Sequence, residues 1–296
     1  MISSRQWLLA ASVFIGLVLP PLAELSAALL YPSLFFIMLF SLLGLDWTLL
    51  LASGRRELVT GACLVAVQML LLPILVVVAL RPILDADAVL FLALITSAST
   101  IFGAPAFATM LGLSRSLTFV GVIVSTLLLP VSMLLVWYLA GTAAFSFNLE
   151  SYFLRISLFI LLPGILSLLY RKISQSSAFR LPVRVLDGGV FWSLVVFAIA
   201  VMDGVTYRIL EAPVYMFQLM MAVVVIHVAL YLVSRVIFGF LGRETASIAG
   251  MLSSYRNLGL LAAVAGSMLP DNFMLFVGLW QIPMYVSPLI LSMFLY

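Results

Sequence analysis

Long apolar runs separated by short polar segments dominate the chain. Each run has about 20 residues, the length of an α-helix that crosses a bilayer, whereas a barrel strand would alternate over about 10 residues. Charged and turn-forming residues separate ten such runs, at residues 7–22, 29–50, 57–80, 88–111, 117–140, 152–170, 184–205, 213–238, 244–268 and 273–295. The pattern therefore predicts an all-α polytopic membrane protein with ten transmembrane helices.

Composition supports this prediction. Of 296 residues, 65% are apolar and 8% are charged, whereas a soluble globular domain carries about 25% charged residues. The lipid bilayer is the expected partner, and the net charge of +3 requires no nucleic acid and implies no protein partner. Cys63 is a single cysteine, which excludes a disulfide framework and a cysteine metal cluster. Pro20 and Pro21 follow the first run where a signal peptide would have a cleavage site, so this run is predicted to be a retained span.

The distribution of basic residues between alternate loops predicts the orientation. Ten lie on one side, at Arg5, Arg55, Arg56, Arg115, Arg171, Lys172, Arg180, Arg184, Arg235 and Arg243. Three lie on the other side, at Arg81, Arg155 and Arg208. Because loops rich in Lys and Arg stay in the cytoplasm, both termini are predicted to be cytoplasmic.

The fourth and ninth runs carry similar interruptions. Small and polar residues stand in the middle of each run. A proline follows each interruption at a similar distance: Pro130 lies 25 residues after Pro105, and Pro283 lies 26 residues after Asn257. Paired interruptions at matching places in two halves are typical of secondary transporters with inverted repeats and a site at the midplane.

The number of predicted spans also indicates how the chain divides into two halves. Five spans in each half give opposite orientations in the membrane, and the longest loop, 171–184, separates them. We expect the first inverted repeat, with the start of the second, in residues 1–170, and the second repeat in 152–296.

The fourth run is expected to break at Gly103, Ala104 and Pro105. Unpaired backbone groups at membrane depth persist only inside protein or beside a wet cavity. Residues after Pro105 would begin a half-helix whose amide end attracts anions. The alternative is a proline kink without a ligand.

The ninth run is expected to break around Ser253, Ser254 and Arg256. An arginine near the bilayer midplane costs at least about 2.5 to 3.5 kcal/mol. Arg256 could bind a substrate carboxylate, stand in for a bound cation, or bond helix carbonyls in a purely structural role. Asn257 follows it, and Gly259 allows close backbone approach.

Four further polar residues are candidates for ion coupling: Gln68, Ser99, Thr100 and His227. Gln68 and His227 lie near the centres of their runs, and the single histidine could carry a proton. Each also has a structural alternative, a hydrogen bond to a neighbouring helix. The chain has no Walker loop, no protease-like pairing and no glycine-rich channel filter, so transport is favoured over enzyme and channel functions.

Four segments resemble the bile acid:sodium symporter family. They are LFSLLGLD at 39–46, QMLLLP at 68–73, VSTLLLP at 124–130 and RNLGL at 256–260, and they agree with the family in order and spacing. The resemblance implies a core domain, residues 57–140 and 213–296, in which spans four and nine break and cross. It implies a panel domain, residues 7–50 and 152–205, and alternating access that carries an organic anion with sodium.

The family's sodium ligands are only partly present. Where members with two sodium ions have Glu and then Gln-Asn, this chain has Leu252, Arg256 and Asn257, and the family's Ser-Asn falls near Gly103 and Ala104. Gln68 and Asn257 match the family, and they are the candidate ligands if a sodium ion binds. Our hypothesis is that Arg256 supplies in permanent form the positive charge that sodium supplies elsewhere.

The sequence thus predicts a secondary active transporter of a small or amphipathic organic anion, in a bacterial-type inner membrane and without a cofactor other than a possible sodium ion. The substrate site is expected at Gly103, Ala104, Pro105, Ser253, Ser254, Arg256 and Asn257. A proton-coupled or uncoupled carrier, and a non-transporting sensor on a transporter scaffold, are the alternatives.

Overall fold

A computed structural model describes residues 4–44, 54–140, 148–176, 181–270 and 272–295, and within these ranges the regular secondary structure is helical. The helices are α1 Ser4–Val18, α2 Pro20–Ala27, α3 Leu30–Leu43, α4 Arg55–Leu80, α5 Ala86–Ser97, α6 Ala104–Met110, α7 Arg115–Ala140, α8 Leu149–Ser176, α9 Val183–Ala200, α10 Val205–Glu211, α11 Pro213–Ile237, α12 Arg243–Ser254, α13 Leu258–Ala265 and α14 Phe273–Leu295. Short 3₁₀ turns follow α11 and α13, at Gly239–Leu241 and Gly266–Met268.

The chain is an integral membrane protein. In the described ranges, five helical segments are long and apolar enough to cross a bilayer, at Arg55–Leu80, Arg115–Leu139, Leu149–Ser174, Val183–Glu211 and Pro213–Ile237. The bent pair α1 and α2 would make a sixth. The predicted number of ten is not confirmed. The fourth and ninth runs each form two short helices, and Leu30–Leu43 in the second run is shorter than a full span. The end of the second predicted span, including Asp46, lies outside the described residues.

The first predicted span differs from the structure near its end. Helix α1 stops at Val18, and α2 leaves it at an angle of 101°. Two consecutive prolines, Pro20 and Pro21, explain the bend, because proline has no backbone N–H to continue the helix. The predicted run 7–22 is therefore broken at Leu19.

Two long helices contain a π turn directly before a proline. Helix α4 widens at Val67–Leu71, and α8 widens at Ser157–Leu161. Pro73 and Pro163 each stand two residues after the turn, where their missing N–H groups disrupt the regular hydrogen-bond ladder. The widened turn in α4 affects the candidate site described below.

The helices pack in two groups. In the first group, α9 packs against α1, α2 and α3, and α3 also contacts α8. In the second group, α7 packs against α4, α5, α6 and α12, while α11 packs against α12 and α14. Gly259 in α13 lies where the groups meet, and a Cβ there would stand 2.7 Å from the Phe197 ring and 2.9 Å from Leu34. A larger residue at position 259 would require the side chains of Phe197 and Leu34 to shift.

On one side of the molecule, α8 joins the two groups by polar contacts. Tyr152 Oη donates to the carbonyl of Pro130 at 2.6 Å, and Arg155 Nη1 donates to the carbonyl of Ala263 at 3.1 Å. The guanidinium also packs on Gly266, which has a φ of +59° and whose added Cβ would lie 2.4 Å from Arg155 Cζ. The absence of a side chain at Gly266, at the end of α13, thus leaves the space that the Arg155 guanidinium occupies.

Candidate functional site

The two broken spans meet at their breaks. Helix α5 ends at Ser97 and α12 ends at Ser254, and the segments that follow them form an antiparallel bridge between Thr100 and Arg256. Two further backbone bonds flank this bridge. Ile101 N donates to the carbonyl of Tyr255 at 2.9 Å, and Asn257 N donates to the carbonyl of Ser99 at 2.6 Å.

Side chains bond further backbone groups at the breaks. Ser132 Oγ donates to the carbonyl of Ser97 at 2.8 Å, and the backbone N–H of Thr100 donates to Ser125 Oγ at 3.1 Å. The Thr100 hydroxyl donates to the carbonyl of Leu252 at 2.8 Å. Backbone groups released at a helix break inside a membrane require such partners, so the crossing is a built structure and not a local kink.

Arg256 lies at the centre of this crossing, with 1% of its surface exposed. Its Nη1 donates to the carbonyl of Ala98 at 2.7 Å, directly after the end of α5. The carbonyl end of a helix carries partial negative charge, which favours a cation there. Among the described residues, no carboxylate lies within ion-pair distance of Arg256. Backbone dipoles therefore take the place of a counter-ion.

A second carbonyl reaches Arg256 from α4. Arg256 Nη2 donates to the carbonyl of Gln68 at a longer 3.4 Å. In the π turn, the N–H of Leu72 bonds the carbonyl of Val67, and the residue that would follow for Gln68 is Pro73, which has no N–H. The π turn and the proline together leave the Gln68 carbonyl available to the guanidinium.

Gln68 and Asn257, the predicted sodium ligands, both hydrogen-bond to protein groups. The side-chain amide of Gln68 donates to the carbonyl of Ala249 at 2.7 Å. Asn257 Oδ1 accepts from the N–H of Leu260 at 3.0 Å, which makes Asn257 the N-cap of α13. Ser99 Oγ is buried without a hydrogen-bond partner in the described part of the chain. The structure therefore brings Gln68, Ser99, Thr100 and Asn257 to the crossing. The side chains of Gln68, Thr100 and Asn257 hydrogen-bond to backbone groups there.

The other predicted substrate residues also lie at the breaks. Ser253 and Ser254 are fully buried in the last turn of α12, and Ser253 Oγ has no partner within the described ranges. Helix α6 begins at Ala104, with Pro105 as its second residue, and it has seven residues. The half-helix predicted to start after Pro105 thus starts one residue before it and is too short to provide an anion site by its dipole. Gly103 lines the cavity described next.

A cavity of about 60 Å³ lies between the two helix groups, beside the crossing. The first group contributes apolar side chains, Leu9, Leu34, Ile37, Val190, Leu194 and Phe197, and the second contributes Gly103, Phe107, Arg256, Asn257, Gln281 and Tyr285 among others. This volume has room for a few water molecules.

Gln281 and Tyr285 were not identified in the sequence. Both are in α14, both line the cavity, and both are nearly inaccessible to solvent. Gln281 Oε1 and Tyr285 Oη, like Arg256 Nε, have no hydrogen-bond partner among the described residues. A glutamine in the middle of the apolar run 273–295 is the signal in the sequence that points to this position.

His227 lies outside this cavity. Its Nε2 is 3.3 Å from Ser287 Oγ, which is 2.9 Å from the hydroxyl of Tyr255. The rings of Tyr255 and Trp280 pack against the imidazole at centroid distances of 5.6 and 5.3 Å. His227 is thus connected to the break in the ninth span through two hydroxyl groups.

No protein-family model matches this chain, and no curated protein matches it.

Proposed function

We propose that this protein is a secondary transporter that moves an organic anion through the cavity between its two helix groups. In this proposal the second group, with α4 to α7 and α11 to α14, is the core domain, and the first group is the panel domain. The two halves are inverted repeats, and both termini face the cytoplasm of a bacterial-type inner membrane. The resemblance to bile acid:sodium symporters supports this assignment through the same segments.

The crossing of the two broken spans is the observation that carries the proposal. A fold with a purely structural role has no need of two interrupted spans, whose breaks expose backbone groups at membrane depth. Interrupted helices in corresponding halves are the arrangement by which transporters build a polar site inside the bilayer. Here the breaks bond each other, and they deliver one guanidinium to the wall of a cavity.

Arg256 defines the charge that the site accepts. Its guanidinium is held by the carbonyls of Ala98 and Gln68, which leaves its positive charge without a carboxylate partner in the described part of the chain. A buried charge of this kind favours an anion in the adjacent cavity. Because the guanidinium already fills the place beside these carbonyls, we propose transport without sodium coupling.

Movement between the helix groups supplies access. Among the described residues, no hydrogen bond joins the apolar first-group wall of the cavity to the crossing, whereas Tyr152 and Arg155 bond the two groups through α8. Alternating access would result if the two helix groups separated first on one side of the membrane and then on the other.

The test uses three phenyl compounds of similar size: phenylacetate, 2-phenylethylammonium and 2-phenylethanol. Thermal unfolding of the purified protein is expected to shift upward with the anion and not with the cation or the alcohol, because a ligand at about 100 times its Kd stabilises by roughly 2.7 kcal/mol. Uptake of radiolabelled phenylacetate into proteoliposomes then measures flux. Stabilisation without flux would favour the membrane sensor, and stabilisation by the cation would contradict the anion site.

A further inference from the structure

A groove of about 560 Å³ opens on the surface of the first helix group, between α3 and α9. Its walls include Phe36 and Phe40 from α3 and Trp192 from α9, and the exposed fractions of Phe36 and Trp192 are 45% and 60%. Val190 and Leu194, also in α9, line the cavity between the helix groups instead. The groove is therefore a separate site, and its volume lies within the range of ligand pockets, about 300 to 1,000 Å³.

The groove runs along α9 from the start of the helix. Its lining residues Arg184, Gly188 and Trp192 recur every four residues, so they share one face of the helix. Eight residues of α-helix cover about 12 Å. Arg184 is the second residue of the apolar segment Val183–Glu211, whereas Trp192 lies further along this span. The groove thus begins at the edge of the bilayer and extends into its apolar region.

Two adjacent glycines give the groove its depth. A Cβ at Gly189 would lie 2.6 Å from the Phe40 ring, so this glycine lets α3 pack closely on α9. A Cβ at Gly188 would meet no atom within 4 Å, so Gly188 leaves open space beside that contact. The rings of Phe36 and Phe40 stack at 6.0 Å between centroids and form an apolar wall. The deeper part of the groove is therefore an apolar trough of a kind that suits a hydrocarbon chain.

The end of the groove at the edge of the bilayer is positively charged. Arg184 is exposed, and among the described residues no carboxylate lies within ion-pair distance of it, including Asp187 three residues later. Tyr170 Oη accepts a hydrogen bond from the N–H of Leu181 at 2.8 Å, which brings the two basic residues that follow Tyr170 in α8 towards the start of α9. Basic side chains at the end of a membrane span attract anionic lipids.

We propose that this groove binds one anionic glycerophospholipid of the surrounding bilayer, with its phosphate at Arg184 and an acyl chain along Gly188 towards Trp192. The occupant follows from the order of the chemistry along α9. A positive charge at the edge of the bilayer, followed by an apolar trough, is complementary to a phosphate followed by an acyl chain. The inference goes beyond the proposed transport function and does not depend on it.

The test is native mass spectrometry of the purified protein, titrated with phosphatidylglycerol or phosphatidylcholine that carry the same palmitoyl and oleoyl chains. We expect the first phosphatidylglycerol to bind at least about fivefold more tightly than the first phosphatidylcholine, because a basic residue near the membrane surface favours an anionic headgroup by about this factor. Equal affinities would overturn the proposal. A dimer without lipid preference, lost in Gly188→Leu, would assign the groove to a second copy of this chain and would also overturn it.

Two variants separate the headgroup from the acyl chain. Arg184→Gln is expected to lower the affinity for phosphatidylglycerol to that for phosphatidylcholine, whereas Gly188→Leu fills the trough and weakens the first binding of both lipids. Arg235→Gln, at an exposed position of α11, and Gly164→Leu, where an added Cβ also meets nothing within 4 Å, are the matched controls and are expected to change neither affinity. A lipid preference that survives Arg184→Gln would overturn the assignment.

Fluorescence quenching locates the acyl chain without a change at Gly188. Phosphatidylglycerol with brominated chains is expected to quench the tryptophan fluorescence of the native protein at lower concentrations than brominated phosphatidylcholine. This difference is expected to disappear in Trp192→Phe, because Trp192 lines the groove. A difference that persists in Trp192→Phe would place the lipid elsewhere and overturn the proposal. Neither measurement involves flux, so a failure here and a failure of the proposed transport are distinguishable.

Discussion

The guanidinium of Arg256 and the carbonyl of Ala98 are joined by a 2.7 Å hydrogen bond at the point where the fourth span is interrupted. Ala98 belongs to one broken span and Arg256 to the other, 158 residues later. The bond therefore ties the two halves of the chain together at the crossing, and it holds the guanidinium of Arg256 there.

The first prediction concerns sodium. We expect the melting temperature of the native protein to be the same in sodium and in choline chloride at equal ionic strength, because Arg256 occupies the carbonyls that an ion would use. Arg256→Ala is expected to lose the stabilisation by phenylacetate and to lower the free energy of unfolding by about 1 to 3 kcal/mol, since two buried carbonyls lose a donor. Arg208→Ala, which removes an exposed ion pair with Glu211, is the control. A saturable rise in the melting temperature of the native protein with sodium, and not with choline, would contradict the prediction.

The second prediction concerns the role of Asn257. As the N-cap of α13, its replacement by Ala is expected to cost about 1 kcal/mol of stability, and replacement by Ser to cost less, because Ser also caps. Asn148 is the N-cap of α8 at a span end and provides a matched Asn→Ala control. If Asn257 bound sodium instead, Asn257→Ser would abolish a sodium-dependent shift rather than preserve stability.

The third prediction concerns the packing of α7 against the ninth span. A Cβ at Gly121 would lie 2.5 Å from Leu252 Cδ1, so Gly121→Ala is expected to destabilise the protein by about 1 to 3 kcal/mol. Gly164→Ala, where nothing lies within 4 Å, is expected to be neutral or slightly stabilising. Chemical denaturation in detergent measures both. Adding Leu252→Ala should recover part of the loss at Gly121, and strict additivity of the two changes would argue against the contact.

The fourth prediction concerns the contacts made by α8. Arg155→Ala removes the bond to Ala263, and Gly266→Ala places a Cβ where the guanidinium lies, so both are expected to ease separation of the helix groups. The measurement is the labelling rate of Leu194→Cys in a Cys63→Ser background by an impermeant thiol reagent. We expect a rise of about tenfold from the side that carries Arg155, in line with loss of a charged hydrogen bond.

Controls for this labelling are available nearby. Gly188→Ala in α9 has open space around it and is expected to leave the rate unchanged. If neither Arg155→Ala nor Gly266→Ala alters the rate, these contacts do not hold the groups together. If Leu194→Cys is inaccessible from both sides in every variant, alternating access at this cavity is wrong.

The fifth prediction separates the coupling models through His227. Because His227 lies between Tyr255, Trp280 and Ser287 and outside the cavity, we expect His227→Gln to retain the pH profile of phenylacetate uptake. Tyr231, on the same helix, is the neighbouring titratable group on α11 and is tested in parallel by Tyr231→Phe. A pH profile that becomes flat in His227→Gln alone would favour the proton-coupled carrier.

Much of the helical pattern could be predicted from the sequence, because apolar runs and turn residues report directly on membrane helices. The breaks near Gly103 and Arg256 were also predictable, since small and polar residues interrupt the runs there. The partners of Arg256 were not, because Ala98 and Gln68 bind it through backbone carbonyls that no side chain reveals. The bend after Val18 had a clear signal in Pro20 and Pro21, which was interpreted as the end of a span.

The π turn at Val67–Leu71 has a consequence for how the sequence can change. A π turn accommodates one residue more than an α turn, so deleting Val67 would let the turn close as a regular α turn, in which the N–H of Leu72 bonds the Gln68 carbonyl and withdraws it from the guanidinium. The acceptor is therefore encoded by the length of the chain and by Pro73, and not by the identity of residue 68. A scan of side-chain substitutions would miss it, whereas single-residue deletions and insertions along α4 would reveal it.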